Sequence, residues 1–334
     1  MDERVARTVS NKNTVVENVA KYFLLAADIL LLVIFTALNP RFASVMNLSD
    51  IIGQASMIGI MGIGATIIMM VGEMNFGIGA EATVTAALLG YMLGNGRMNL
   101  YVLGLLIALT VICVIGYLNA VFGVMLGVPA FIATLALSKI WDGATSWLTD
   151  NKTMYDSSWP KVFTFLGQYR IFGVFPMTAV CFIVVAVIAW FIIDKTKLGE
   201  QIQAVGNNAK CCRQVGINVR RVKIIAFILC SLIAGFSGIV ASSKTGNVVN
   251  TLGSSLMMNS MAAAMMGATF LRPGRYNIQG TVVAALLTAI IKNGIKFNGY
   301  PDAIQNIVNG VILLVAVGYI AMTRKEGLPS VKMG

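Results

Sequence analysis

Long apolar runs separated by short polar or glycine-rich breaks dominate this chain of 334 residues. A helix that crosses a bilayer needs about 20 apolar residues, since each residue rises about 1.5 Å through roughly 30 Å of hydrocarbon. Ten runs are candidates: 22–38, 51–71, 78–94, 100–127, 129–148, 176–193, 224–241, 258–271, 278–295 and 304–322. The predicted fold is all-α, a polytopic helical bundle of about ten transmembrane segments with broken or re-entrant helices. Residues 22–323 form one transmembrane domain, flanked by polar segments 1–21 and 324–334.

Composition changes the picture by assigning the outer surface. Hydrophobic residues make up 57%, charged residues 12%, and mean hydropathy is +0.80. A soluble chain carries about 25% charged residues, so membrane lipid is the expected neighbour of most of this surface. A net charge of +11 on a soluble protein would point to nucleic acid. Here the cations sort to particular loops, and no nucleic-acid partner is expected.

Alternate crossing places Arg4, Arg7, Lys12 and Lys21 on the same side as three other basic clusters. These are the 194–223 loop, the Arg272-Pro273-Gly274-Arg275 turn, and the tail with Arg324, Lys325 and Lys332. The positive-inside rule then predicts cytoplasmic N- and C-termini. The opposite side holds the 149–175 loop with Tyr155, Trp159 and Tyr169, residue types that favour the membrane interface. The polar start, with Asp2, Glu3, Arg4 and Arg7, shows no cleaved signal-peptide pattern.

Little of the chain offers catalytic chemistry. The sequence has no His, which removes the usual ligand for zinc, copper or haem. No metal site and no catalytic residue is expected. Cys113, Cys181 and Cys230 read as small buried residues, and the adjacent Cys211 and Cys212 as reduced thiols of a cytoplasmic loop. No G-x-x-x-x-G-K-[ST] phosphate cradle occurs, so the energy for any transport comes from a partner or an ion gradient. Asp28, Glu73, Glu81 and Asp142 are the acids within apolar segments, and their scarcity weighs against proton coupling.

The breaks carry more information. Val71 to Gly79 (V-G-E-M-N-F-G-I-G) is polar and glycine-rich between two apolar runs, and Val128 to Leu135 (V-P-A-F-I-A-T-L) is similar. Non-helical backbone at membrane depth is tolerated where it is buried in protein or lines a cavity. Each break reads either as a pathway-lining segment or as a short loop. Gly59, Gly62, Gly64, Gly90, Gly94, Gly123, Gly127, Gly235 and Gly238 are a close-packing signal for helices in lipid. In the basic loop, Asn208 is placed to cap a short helix over 209–215, which Gly216 ends. Val205, Val215 and Ile217 are then groove contacts for a docking partner, with Lys210 and Arg213 at the rim. The other reading of that loop is a basic segment held at anionic lipid.

Leu198-Gly199, Ile202 to Asn208 (I-Q-A-V-G-N-N) and Gly216 to Val219 (G-I-N-V) follow a longer pattern, G-x-x-I-x-A-x-G-x-N-x-x-A-A-x-x-x-G-I. Through it the chain resembles the permease subunits of ABC importers of the ribose/galactose type, a broad family that includes branched-chain amino acid permeases. Gly116 with Asn119, the segment Phe131 to Leu135, Gly267 to Gly280, and Asn293 to Gly310 match as well. The departures are Glu73-Met74-Asn75-Phe76-Gly77 where the family reads G-I-D-L-S, Trp141 to Gly143 in place of A-R-G, Met257-Met258-Asn259-Ser260 in place of E-L-D-A, and Cys211-Cys212 in place of paired alanines.

The resemblance implies a non-enzymatic permease of a bacterial cytoplasmic (inner) membrane that moves a small polar solute, a sugar or sugar-like compound, by alternating access. It implies three partners: a cytoplasmic ABC ATPase that binds ATP and Mg, a second permease copy or paralogue, and an extracytoplasmic solute-binding protein. Gly199, Ala204, Val205, Gly206, Asn208, Lys210, Arg213, Gly216 and Ile217 would form the ATPase-coupling loop. Glu73, Asn75, Phe76, Phe131, Thr134, Asn259 and Ser260 are the candidates for lining the pathway. A self-contained secondary transporter is the alternative.

Overall fold

A computed structural model describes residues 22–94, 101–155, 159, 161–271, 274–301 and scattered positions between 303 and 318. The N-terminal cations, Arg272, Pro273 and the C-terminal tail lie outside the described residues, as does most of the run 304–322.

Helix α1 spans Tyr22–Leu38, and a short 3-10 turn, Pro40–Ala43, leads into α2, Val45–Met70. Then follow α3 (Ile78–Gly94), α4 (Tyr101–Ala120), a π-helical turn (Val121–Met125), α5 (Ala130–Leu148) and α6 (Lys161–Gln168). A small antiparallel hairpin, β1 (Arg170–Ile171) with β2 (Phe175–Pro176), precedes α7 (Met177–Lys195). The chain continues as α8 (Lys197–Gln214), α9 (Val219–Thr245), α10 (Leu252–Gly267) and α11 (Ile278–Phe297).

Among the described residues, five helices are long and apolar enough to cross a membrane: α2, α4 with its π turn, α7, α9 and α11. The expected ten spans are not reached on that measure. At 17 and 16 residues, α3 and α10 extend only about 25 Å, short of the hydrocarbon thickness, because each starts at a break. In α5 the ion pair Lys139–Asp142, 3.3 Å apart, stands on an exposed face.

The core forms around α2, which packs against α7, α9, α10 and α11. Neighbouring lipid tails are as apolar as the side chains, so packing rests on close approach. Glycine supplies it: a Cβ on Gly238 would lie 2.0 Å from the Ala82 carbonyl oxygen, and one on Gly253 would lie 1.8 Å from that of Gly79. The outward faces of α4 and α7 are exposed and apolar, with Val102, Leu106, Ile183 and Val187 among them. Such faces suit a lipid neighbour.

Polar contacts distinguish the two ends of the bundle. At the hairpin end, Arg170 pairs with Asp50 at 2.8 Å, and Ser49 donates to the Val174 carbonyl. At the basic end, Gln279 donates to Asp194 at 3.3 Å, which brings the Arg275 turn beside the start of α8. The described parts of two expected basic clusters thus share one end.

Candidate functional site

Helix α8 starts with a local signal. The Thr196 hydroxyl accepts from the Gly199 amide and caps the first turn. At Asn208 the backbone leaves the helical region, with φ −157° and ψ 91°. Its side-chain oxygen accepts from the amides of Lys210 (3.1 Å) and Cys211 (3.0 Å), so it caps a second short stretch of helix. That stretch ends in a Schellman motif: the Gly216 amide bonds to the Arg213 carbonyl, and the Ile217 amide to the Cys212 carbonyl. Gly216 has φ +84°, a conformation that glycine adopts without Cβ strain.

Close contacts seat α8 on the ends of two spans. A Cβ on Gly206 would come 1.7 Å from the Met70 carbonyl oxygen, and one on Gly199 would come 2.0 Å from that of Ile193. The two glycines therefore hold α8 against the termini of α2 and α7. Ile202, Val205 and Cys212 are buried beneath them. This corrects the expectation for Val205: at 2% exposure it belongs to the core and offers no groove contact. Ala204 is half-buried against the core, as is Ile217, while Asn208, Lys210, Arg213 and Val215 face outward.

The break after α2 descends from the same place. Gly72 turns the chain with φ +82°, and Glu73 forms an ion pair with Lys223 in the second turn of α9. Asn75 is 1% exposed. Its amide nitrogen donates to Glu81 Oε1 at 2.8 Å, and its side-chain oxygen accepts from the Gly77 amide at 2.8 Å. Asn119 of α4 donates to the same Glu81 oxygen at 2.6 Å. The Phe76 amide donates to Thr134 Oγ1 at 3.0 Å, which ties the break to the second turn of α5. A fully buried carboxyl thus gathers two amides, and one hydroxyl fixes the backbone beside them. Each buried polar group left without its partner would cost about 1–3 kcal/mol, so the constellation pins non-helical backbone inside the bundle.

Four expected pathway residues, Glu73, Asn75, Phe76 and Thr134, come together here, with Phe131 on the exposed side of α5 next to them. Asn259 and Ser260 do not join them. They are buried on α10, where Asn259 donates to the Ser255 carbonyl at 3.2 Å and Ser260 packs toward Gly62 of α2. Glu81 stood in the sequence only as one of four intramembrane acids. Its spacing of six from Asn75 gives no helical face in common, so no local signal marked the pair.

The model of the family described as branched-chain amino acid transport system / permease component matches residues 47–317. The chain belongs to this family. It is 30% identical over 298 residues to the ribose import permease protein RbsC of Escherichia coli (strain K12), covering 88% of this chain and 91% of that protein. The ribose import permease protein RbsC of Bacillus subtilis (strain 168) is 28% identical, with 86% and 88% covered. The autoinducer 2 import system permease protein LsrC of Photorhabdus luminescens is 26% identical, with 90% of each chain covered. No solved structure matches. The permease assignment rests on most of the chain, and both α8 and the break at 71–77 fall inside the matched region.

Proposed function

We propose that the chain is the membrane permease subunit of an ATP-binding cassette importer and forms the pathway for a small polar solute, a sugar or sugar-like compound. The observation that carries this is the match to import permeases over nearly the full length. A bacterial cytoplasmic membrane holds the protein, with the basic end and both termini in the cytoplasm. There the 194–223 loop docks on an ABC ATPase, which binds ATP and Mg. The solute-binding protein meets the hairpin end. A second permease, identical or paralogous, completes the pathway. The exposed Lys139–Asp142 pair supports a protein or water-filled neighbour for α5, because charge is costly against lipid.

The coupling route follows the contacts. Movement of the ATPase pushes on Asn208, Lys210, Arg213 and Val215. Helix α8 passes the push to the end of α2 through Gly206, and so to the broken segment with Glu73, Asn75 and Phe76. Repacking of Asn75 against Glu81, and of Phe76 against Thr134 of α5, then opens the pathway to alternate sides.

The test is a pull-down of the tagged chain from its native membrane in mild detergent, followed by uptake of radiolabelled ribose in vesicles with and without ATP. Co-purification of an ATPase and a requirement for ATP are the expected results. Transport by this chain alone in ATP-free vesicles would make it a secondary transporter and refute the proposal.

A further inference from the structure

A second feature of the basic end is a cavity that shares only Arg213 with the coupling route. It measures about 400 Å³ and lies between the π-helical turn after α4 and the junction of α8 with α9. One wall is cationic, with Arg213, Arg220 and Lys223, and Asn218 beside them. The other is made by Gly123 and Val124. Lys223 is neutralised by Glu73. Among the described residues, Arg213 and Arg220 have no carboxylate partner. Two guanidinium groups therefore border one cavity with no anion to balance them.

Beyond the apolar wall, Phe122, Met125 and Leu126 are exposed and continue onto the lipid-facing surface of α4. The π turn explains the opening. The Leu126 amide bonds to the Val121 carbonyl, five residues back, and the wider turn breaks the regular helix surface opposite α9. The cavity thus has cations on the polar side and a greasy ramp on the hydrocarbon side. That combination suits an amphiphile with an anionic head, and basic pockets between spans at a membrane face bind such headgroups.

We propose that this cavity binds the phosphate headgroup of an anionic phospholipid, with Arg213 and Arg220 as its ligands and the acyl chains along Phe122 and Met125. The inference takes from the proposed function only that the protein spans a membrane. Arg213 is shared with the proposed ATPase surface, so the test reads lipid retention and ATPase recovery separately.

Native mass spectrometry of the full chain tests it. The protein would be released from vesicles of phosphatidylcholine doped with phosphatidylglycerol, and bound lipid counted per chain. Wild type is expected to retain phosphatidylglycerol over phosphatidylcholine. Each cation near an anionic surface contributes roughly fivefold in affinity, so Arg213→Gln with Arg220→Gln should weaken retention about thirtyfold. Val124→Phe, which fills the cavity from the uncharged wall, should weaken it too. Arg275→Gln, at the same end but outside the cavity, should not. Equal retention of the two lipids, or no loss in either cavity variant, would overturn the site. Displacement of the lipid by millimolar inorganic phosphate would make this a free-anion site and overturn the lipid assignment. Loss of a co-purifying ATPase with lipid retention intact would give the arginines to the protein partner and overturn it as well.

Discussion

The seating of α8 can be tested by adding one methyl group. Gly206→Ala places a Cβ 1.7 Å from the Met70 carbonyl oxygen and 2.8 Å from its carbon. A carbon–oxygen contact settles at about 3.3 Å, so α8 and the end of α2 must part by roughly 1.6 Å. Both contacting groups are backbone, and no side chain can swing aside. Overpacking of this kind costs about 1–3 kcal/mol. The strain falls on the segment that buries Ile202, Val205 and Cys212, and Cys212 is a ready reporter. Its thiol is buried whereas that of Cys211 is exposed. In a Cys113→Ser, Cys211→Ser background, maleimide should reach Cys212 only through local opening of α8. The labelling rate should rise about 5- to 150-fold in Gly206→Ala. Gly143→Ala, where a Cβ meets nothing within 4 Å, should leave the rate unchanged. If Gly206→Ala labels no faster than its parent, α8 is not held by this contact and the coupling route through α2 fails.

Other contacts give separate tests. Asn208→Ala removes the cap of the second stretch of α8 and should cost about 1 kcal/mol of local stability. Ser at that position should restore most of it, and labelling of the buried Cys212 would show no change if the cap were idle. Glu81→Ala leaves the Asn75 and Asn119 amides without their acceptor. At about 1–3 kcal/mol for each orphaned group, it should lower the thermal inactivation temperature in detergent well below that of Glu81→Gln, which keeps an acceptor oxygen. Equal stability of the two variants would remove the carboxyl from its organising role. Glu73→Gln and Lys223→Met should be non-additive in a double-mutant cycle, with a coupling of about 1 kcal/mol for a pair whose side chains are each 20% exposed. Strict additivity would show that the ion pair does no work.

Much of the architecture was legible because membrane helices are specified by what surrounds them. An uninterrupted apolar run must be helical in lipid, since no water is present to satisfy its backbone. The runs at 22–38 and 78–94 coincide with α1 and α3, and that at 129–148 differs from α5 by one residue. The cap at Asn208 and the stop at Gly216 were equally visible, because both act within a few residues of themselves.

What the sequence determined by itself was local: which stretches are helical, where they break, and which short polar side chains cap them. The tertiary structure decided which face of each element is occupied. Val205 looked like a docking contact and became core, because α8 lies down on the ends of α2 and α7. Glu81 became the anchor of the break through an amide 38 residues away, and Lys223 found its carboxylate across 150 residues. The uniformly apolar spans carry no polar face to show which neighbour each will meet. Long-range pairing was set instead by how closely particular glycines let backbones approach, and by which buried polar groups those approaches left to satisfy one another.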